Sequence, residues 1–268
     1  MKRVSSRQLV ELADAMPERE RQVVQTVGRF KLVTGSQLGR LFFPNIARAA
    51  SRGRAVRREL ASLADQHVLY PLPRRVGGVR AGSAGQVVAL GPIGKRLLAY
   101  WQGEGFVRVR ATHEPQPLFA RHTLAVAEQY VRLVEAEHTG AVELLSFDTE
   151  PACWRPYASA HGAASLKPDA FVRLGIGDFE QRSFLEVDLG SEGRGALARK
   201  CRAYAAYFES GQEQVEAGVF PRVVWITTSE AWVRLLVEVC SSLPAEYWQL
   251  FVVGTPERAL ALLRGEAP

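Results

Sequence analysis

The spacing of apolar residues predicts three helices in the first part of the chain. The first begins near Pro17, since proline suits a first helical turn, and continues to Phe30. A short second helix follows the capping residues Thr34-Gly35-Ser36. The third covers residues 47–65 and keeps its apolar residues on one side. A short helix, a turn and a longer helix are the order of a helix-turn-helix.

A predicted β-hairpin follows the third helix directly. Residues 68–70 and 86–90 are predicted as strands, and the glycine-rich segment between them is basic. A helix that begins near Gly91-Pro92 closes the unit. We therefore expect a winged helix-turn-helix over residues 1–100. A linker is expected over residues 101–117, where glycine and proline interrupt any periodicity.

Basic residues concentrate in this first part of the chain. Residues 1–110 contain 20 Lys and Arg against 7 Asp and Glu, a net charge of +13, whereas the remaining residues have a net charge of −7. This pattern favours double-stranded DNA as the partner, because arginine makes paired hydrogen bonds to phosphate and guanine. A helical adaptor with a solvated charged face is the alternative. The expected DNA-binding residues lie on the third helix and in the wing: Arg48, Arg52, Arg54, Arg57, Arg58, Arg74, Arg75 and Arg80.

The second part of the chain alternates between helical and strand periods. Six elements are predicted in order: a helix over residues 118–138, strands over 142–149, 169–174 and 183–189, a helix over 195–210 and a strand over 222–228. The order α-β-β-β-α-β resembles the core of the restriction-endonuclease-like fold. The predicted fold class is therefore α/β (α+β), with a winged helix-turn-helix followed by a restriction-endonuclease-like αβββαβ domain over residues 118–268.

Acidic residues fall at corresponding places on the predicted strands. Asp169 begins the second strand, and Glu186 and Asp188 lie two apart on the third, so both point to one face. Carboxylates from neighbouring strands suit Mg²⁺ or Mn²⁺, which can activate a water beside a scissile phosphate. We predict these three acids as metal ligands and catalytic residues, with Lys200 steadying the transition state and Glu128 assisting the metal. A solvated acidic strand face is the alternative.

Cysteine content and the absence of long apolar runs indicate the cellular setting. Cys153, Cys201 and Cys240 stand far apart without a CxxC pair, so they predict small buried residues in a reducing cytoplasm. The first residues lack the apolar run of a signal peptide, and no apolar stretch approaches the length of a membrane span. We expect a soluble, cytoplasmic protein with no membrane partner.

The order of these motifs resembles the replication-relaxation family of plasmid and mobile-element proteins. The likeness covers most of residues 15–230 and comprises the winged helix, the helix with His122, the Pro168-Asp169-Ala170 strand, the Glu186–Gly190 strand end and the helix with Lys200, Tyr204 and Tyr207. The resemblance implies DNA binding in the replication, relaxation or transfer of a plasmid or integrative element. It also adds His122 to the expected catalytic residues.

One departure from the nuclease pattern leaves the activity open. The usual strand reads acid-x-Lys, but Asp188 stands in the place of that lysine, so Lys200 would have to act from the helix. Three hypotheses follow. The protein is a Mg²⁺- or Mn²⁺-dependent DNA endonuclease or nickase, an origin-binding factor with an inactive nuclease-like domain, or a winged-helix transcription regulator. The DNA is accordingly an origin, a transfer site or an operator, and a homodimer remains open.

Overall fold

Helices and β-sheets occur in both of the units into which the chain divides, residues 1–131 and 132–268. The computed structural model describes residues 4–73, 86–105, 114–159 and 162–267. The predicted mixed α/β class is confirmed. The division between the units falls inside one long helix, and the independent domains predicted over residues 1–100 and 118–268 stay a prediction.

The first unit combines helices with a small antiparallel sheet. Its elements are α1 (Ser6–Ala15), α2 (Glu18–Phe30), β1 (Val33–Thr34), α3 (Gly35–Phe42), α4 (Ala49–Asp65), β2 (Leu69–Pro71), β3 (Val87–Leu90), α5 (Pro92–Trp101) and the first part of α6 (Pro117–His138). The strand order is β1-β3-β2, with antiparallel pairing throughout. The short strand β1 and the helix α1 were not predicted.

Local capping explains where α3 begins. The Thr34 hydroxyl accepts a hydrogen bond from the Gln37 backbone N–H at 3.1 Å, and the Gln37 side-chain oxygen accepts one from the Thr34 N–H at 2.9 Å. This reciprocal capping box satisfies two backbone donors that a helix start leaves without helical partners. The predicted cap at Thr34 is therefore confirmed, and α4 follows after a short turn.

A close backbone approach fixes α5 against β2. A Cβ atom on Gly94 would lie 2.1 Å from the carbonyl oxygen of Val68, and a Cβ on Gly91 would lie 2.3 Å from that of His67. Glycine is needed at both positions because any side chain would push the start of α5 away from the backbone that leads into β2. The core beneath these contacts is apolar, and Leu97 is fully buried in it.

The second unit is built on a five-stranded mixed sheet. Its elements are the remainder of α6, β4 (Glu143–Thr149), β5 (Arg155–Ser159), β6 (Gly162–Leu166), β7 (Ala170–Ile176), β8 (Phe179–Asp188), α7 (Arg194–Glu209), α8 (Gln212–Ala217), β9 (Arg222–Thr227), α9 (Glu230–Cys240), a 3₁₀ helix (Ala245–Leu250), β10 (Phe251–Gly254) and α10 (Ala259–Leu263). The strand order is β10-β9-β8-β7-β4, and β5 and β6 form a separate hairpin.

Strand direction changes within this sheet. β4, β7 and β8 pair antiparallel, whereas β8, β9 and β10 pair parallel. Phe184 of β8 and Trp225 of β9 are fully buried against Tyr204 and Tyr207 of α7, so this helix covers one face of the sheet. Leu185 on the opposite face is fully buried as well, and β8 is therefore a central strand enclosed on both sides.

The three cysteines are free and buried, as predicted. The sulfur atoms of Cys201 on α7 and Cys240 on α9 lie 3.7 Å apart, which is the distance of a contact between thiols. Within the described residues, no helix combines the length and the apolar character that a transmembrane segment requires.

Candidate functional site

Glu186 lies at the centre of a buried polar cluster between β8 and α7. The residue is 1% exposed. The Lys200 ammonium contacts Glu186 Oε2 at 3.1 Å, and the Tyr204 hydroxyl donates a hydrogen bond to Oε1 at 2.7 Å. Lys200 and Tyr204 are four residues apart on α7 and therefore share a helical face. Both carboxylate oxygens of Glu186 thus have a charged or polar partner.

Asp169 joins the same cluster from the start of β7. Its backbone N–H donates to the Leu185 carbonyl at 3.1 Å, and its Oδ2 accepts a hydrogen bond from the Val187 N–H at 2.7 Å. These bonds hold the carboxylate beside the strand that carries Glu186. The structure therefore brings Asp169, Glu186 and Lys200 together, as the sequence predicts.

Lys200 connects the cluster to the loop that follows β8. Its ammonium lies 3.0 Å from Glu192 Oε1 and 5.5 Å from the centre of the Trp225 ring. Burial opposes the charge on this ammonium, but the carboxylates of Glu186, Asp169 and Glu192 outweigh that effect and raise the pKa of Lys200. The lysine is therefore the positive charge that balances the surrounding acids.

Glu186 has an unusual tendency to bind a proton. Burial, and secondly the neighbouring Asp169 carboxylate, raise the pKa of Glu186 from 4.5 to about 7, although Lys200 and Tyr204 act in the opposite direction. Burial and the adjacent Glu186 also raise the pKa of the Tyr204 hydroxyl well above its ordinary value. Tyr204 therefore acts as a hydrogen-bond donor at neutral pH.

Asp188 has a different environment from the one that the strand pattern suggests. Its Oδ1 accepts a hydrogen bond from the Gly190 N–H at 3.2 Å, and the N–H groups of Ser191 and Glu192 also contribute to holding the carboxylate. Its Oδ2 is buried without a hydrogen-bond partner among the described residues. The Asp188 carboxylate therefore holds the loop after β8, although it shares a strand face with Glu186.

The cluster offers two carboxylates to a divalent cation. Asp169 and Glu186 interact electrostatically and supply the hard oxygen donors that Mg²⁺ or Mn²⁺ prefers. Asp188 Oδ1 binds the loop after β8, and the assignment of Asp188 as a third metal ligand stays a prediction. In the described part of the chain, no group of three or more His, Cys, Asp or Glu residues could hold a metal ion. A cation at this position would share Glu186 with Lys200.

Glu128 and His122 lie on the first part of α6. Glu128 accepts a hydrogen bond from the Gln37 side chain at 3.1 Å and pairs with the Arg40 guanidinium at 2.6 Å, and both partners belong to α3. Gln37, which is 5% exposed, also donates to the Leu124 carbonyl at 3.0 Å. His122 is half-buried on the same helix. The described contacts of Glu128 therefore fasten α6 to α3.

Helix α4 carries the arginines that the sequence assigns to DNA binding. Val56, Leu60 and Leu63 are its buried residues. The arginine side chains spread over the rest of its surface, and Arg48, Arg54, Arg57 and Arg58 are exposed whereas Arg52 is half-buried. Arg54 donates to the Ser51 hydroxyl at 2.9 Å, and none of the five forms an ion pair with a described residue. Arg74, Arg75 and Arg80 lie outside the described residues.

A comparison with family models agrees with the motif order. The model described as replication-relaxation matches residues 24–223, well over half of the chain. The chain belongs to the replication-relaxation family. Membership confirms the resemblance recognised from the sequence and indicates a role in the replication or relaxation of plasmid or mobile-element DNA. No curated protein and no solved structure matched the chain.

Two residues of this replication-relaxation protein were not assigned to the site from sequence. Glu192 follows β8 and contacts Lys200, and Tyr204 reaches Glu186 from α7. Two sequence signals point to Tyr204: its place in the Lys-Tyr helix of the family resemblance, and its spacing of four residues from Lys200, which places both side chains on one helical face. No comparable spacing signal exists for Glu192, because its position depends on the loop held by Asp188.

Proposed function

We propose that this replication-relaxation protein binds duplex DNA through its first unit, with α4 as the recognition helix of a winged helix-turn-helix. The observation that carries the proposal is the exposed arginine surface of α4, whose guanidinium groups form no ion pair with a described residue. Exposed arginines outside ion pairs can bind phosphates and base edges in a groove.

The element order of the first unit supports this proposal. The sequence of elements α2, β1, α3, α4, β2 and β3, with an antiparallel sheet ordered β1-β3-β2, fits a winged helix-turn-helix. In such a motif the second helix of the pair enters the major groove, and that helix is α4 here. The exposed side of α4 would meet the DNA, because Val56, Leu60 and Leu63 are buried in the unit.

A binding titration tests the proposal directly. The full chain is titrated with a labelled duplex from its own element and with a random duplex of equal length, at several salt concentrations and in EDTA. Arg57→Ala and Arg58→Ala are expected to weaken binding and to lower its salt dependence. A variant that makes one phosphate contact fewer releases fewer counterions from the DNA when it binds. Arg7→Ala is the matched control, since Arg7 is exposed on α1 and pairs with Glu11 at 2.9 Å.

The titration also separates initiation from transcription control. Preference for origin or transfer-site DNA over other duplexes supports a replication or relaxation factor, whereas preference for the protein's own promoter supports a regulator. Unchanged affinity and unchanged salt dependence in both arginine variants would contradict the assignment of α4.

A second candidate function is a metal-dependent DNA nickase in the second unit. Asp169, Glu186 and Lys200 support it, because two interacting carboxylates and a lysine lie together immediately before β7, on β8 and on α7. Asp169 and Glu186 would hold Mg²⁺ or Mn²⁺, which when bound supplies a Lewis acid and an activated water. Lys200 would hold positive charge beside the scissile phosphate. The mixed sheet, with α7 covering one of its faces, is compatible with a restriction-endonuclease-like domain.

Supercoiled plasmid carrying the native element tests this second candidate. Purified protein is incubated with the plasmid in Mg²⁺, Mn²⁺ or EDTA, beside the Asp169→Ala/Glu186→Ala variant and a Glu238→Gln control. Glu238 is an exposed glutamate of the same unit. Metal-dependent conversion of the plasmid to open circles by wild type and the Glu238→Gln control, but not by Asp169→Ala/Glu186→Ala, supports the nickase. Retardation of the DNA without conversion supports a binding factor with an inactive nuclease-like domain.

A further inference from the structure

Two arginines converge on one carboxylate at the end of the sheet away from Glu186. Arg173 of β7 and Arg182 of β8 are direct partners in the antiparallel register, which places like charges opposite each other. Glu180 holds both of them. Its carboxylate receives Arg173 Nε and Nη2 at 2.7 and 2.9 Å and Arg182 Nε at 2.6 Å. The guanidinium groups are therefore fixed side by side.

Part of this guanidinium pair has no protein partner. Nη1 of Arg173 and both Nη atoms of Arg182 form no hydrogen bond with any described residue. Both side chains line a cavity of about 330 Å³, together with Arg155, which lies over the Phe171 ring at 4.5 Å. Oriented arginines with unused donors at a cavity are the usual arrangement for binding a phosphate.

A second cavity adjoins the first at Arg182. It has a volume of about 430 Å³, and Arg182 lines both cavities. Its walls include Phe208 and Phe220, whose rings meet edge to face with centroids 5.2 Å apart. Gln181 and Gln249 also line it, and their amides can donate and accept hydrogen bonds. Aromatic walls with a few amides suit a planar heterocyclic base.

We propose that these adjoining cavities form a nucleotide-binding site. The phosphate binds the free guanidinium donors of Arg173 and Arg182, and the base occupies the second cavity, lined by Phe208, Phe220 and the glutamine amides. Glu180 is a positioning residue that holds both arginines for the phosphate. This site is separate from the Glu186 cluster and does not depend on DNA binding by α4.

Acidic residues in the first cavity restrict the ligand class. Asp148, Glu213 and Glu216 line it with the arginines. Glu213 is already paired with Arg155 at 3.0 Å and with the Tyr207 hydroxyl at 2.9 Å. Asp148 acts electrostatically on Arg173, and both remaining carboxylates repel any phosphate group. They can also accept hydrogen bonds from sugar hydroxyls, which a nucleoside phosphate has and inorganic phosphate lacks. The lining therefore favours a nucleoside phosphate over inorganic phosphate.

Calorimetric titration of the full chain in EDTA tests the proposal. The ligands are adenosine monophosphate, the other three nucleoside monophosphates, adenosine and inorganic phosphate. We expect at least one monophosphate to bind, with adenosine and phosphate each at least tenfold weaker than adenosine monophosphate. Arg182→Met should weaken nucleotide binding at least tenfold, and Arg182→Lys should retain part of it, because a lysine keeps the charge without the paired donors. Arg194→Met, which removes an arginine from an exposed pair with Glu238, should bind as wild type does.

A competition experiment identifies the source of the nucleotide, and three results would contradict the proposed site. Displacement of adenosine monophosphate by a 5′-phosphorylated trinucleotide, but not by the unphosphorylated one, assigns the site to a DNA strand end. No displacement by either assigns it to a free nucleotide. The proposal fails if no monophosphate binds wild type at millimolar concentration, if adenosine binds as tightly as its monophosphate, or if a folded Arg182→Met binds unchanged. The first two results are measured on wild type, so the proposal can be contradicted even if a variant does not fold.

Discussion

Replacing Glu186 with glutamine is expected to remove a pH dependence from the stability of the second unit. Glu186 is 1% exposed and lies beside Asp169, so its ionised form is disfavoured in the folded protein even though Lys200 is 3.1 Å away. Glutamine has nearly the same shape and keeps an oxygen that can accept the Tyr204 hydrogen bond. The substitution therefore changes the titration while it preserves most of the packing.

The magnitude follows from the pKa of Glu186 in the two states. That pKa is 4.5 ordinarily and about 7 in the folded protein. Below pH 4.5 the carboxyl is neutral in both states and the effect is absent. As the pH rises from 4.5 to 7 the unfolded chain loses its proton first, so the folded state becomes less stable. At about 1.4 kcal/mol per pK unit, the loss above pH 7 amounts to about 3 kcal/mol.

Urea unfolding at pH 5 and pH 8 measures this effect. Tryptophan fluorescence reports mainly on the second unit, because Trp154, Trp225, Trp232 and Trp248 belong to it and Trp101 does not. The stability of Glu186→Gln relative to wild type should increase by about 2 to 3 kcal/mol from pH 5 to pH 8. Glu238→Gln changes an exposed glutamate in the same way and should show no such increase, since exposed ion pairs contribute little.

A constant difference between wild type and Glu186→Gln at the two pH values would refute this reasoning. It would mean that Lys200 and Tyr204 compensate the buried charge completely. Equal pH dependence in the Glu238→Gln control would instead show that the effect does not come from the buried cluster.

Three further substitutions test other parts of the structure. Lys200→Met should destabilise the second unit by about 3 to 5 kcal/mol at pH 8, as measured by the same unfolding, because Glu186 loses its cation; a small loss would contradict the pairing. Gly94→Ala should lower the melting temperature and reduce the free energy of unfolding by about 1 to 3 kcal/mol. Gly53→Ala in α4 is the control and should not destabilise the protein, because a Cβ there meets only an arginine nitrogen at 3.5 Å. Arg57→Ala should weaken DNA binding and lower its salt dependence without changing the melting curve, and a lowered melting temperature would point to a packing role instead.

The sequence predicted the strands of the second unit where their apolar runs are long. The period of two placed Glu186 and Asp188 on one face of β8, and β7 begins immediately after Asp169. The helices α6 and α7 were also predicted, since each has a long amphipathic pattern. These features depend on local spacing, which a sequence displays directly.

Elements with little local signal could not be predicted in this way. The hairpin of β5 and β6 has alternating exposure without a run of large apolar residues, and α8 has only six residues. The last strand, β10, has only four residues and directly follows a 3₁₀ helix. Short elements of this kind are stabilised by packing more than by intrinsic preference.

The role of Asp188 depends on a backbone conformation that spacing does not encode. Gly190 has a φ of 73°, and this turn directs the backbone N–H groups of the loop toward the Asp188 carboxylate. The same turn brings Glu192 to Lys200. A sequence pattern that treats Glu186 and Asp188 as equivalent acids on one face therefore misses that one binds a lysine and the other a loop.

Divalent cations offer a measurement that separates the two proposed functions of the protein. If Asp169 and Glu186 bind Mg²⁺ or Mn²⁺, the folded state gains stability by mass action, and the gain grows with cation concentration. At pH 8 the melting temperature of wild type should then rise with each tenfold increase in cation concentration, and that of Glu186→Gln should not change. A nickase requires this response because its cation must bind Glu186 in the folded protein. The cation competes there with the Lys200 ammonium, which lies 3.1 Å from Glu186 Oε2. If added cation shifted the melting temperatures of both proteins equally, or shifted neither, the nickase would be contradicted and Lys200 would be the cation that balances Glu186.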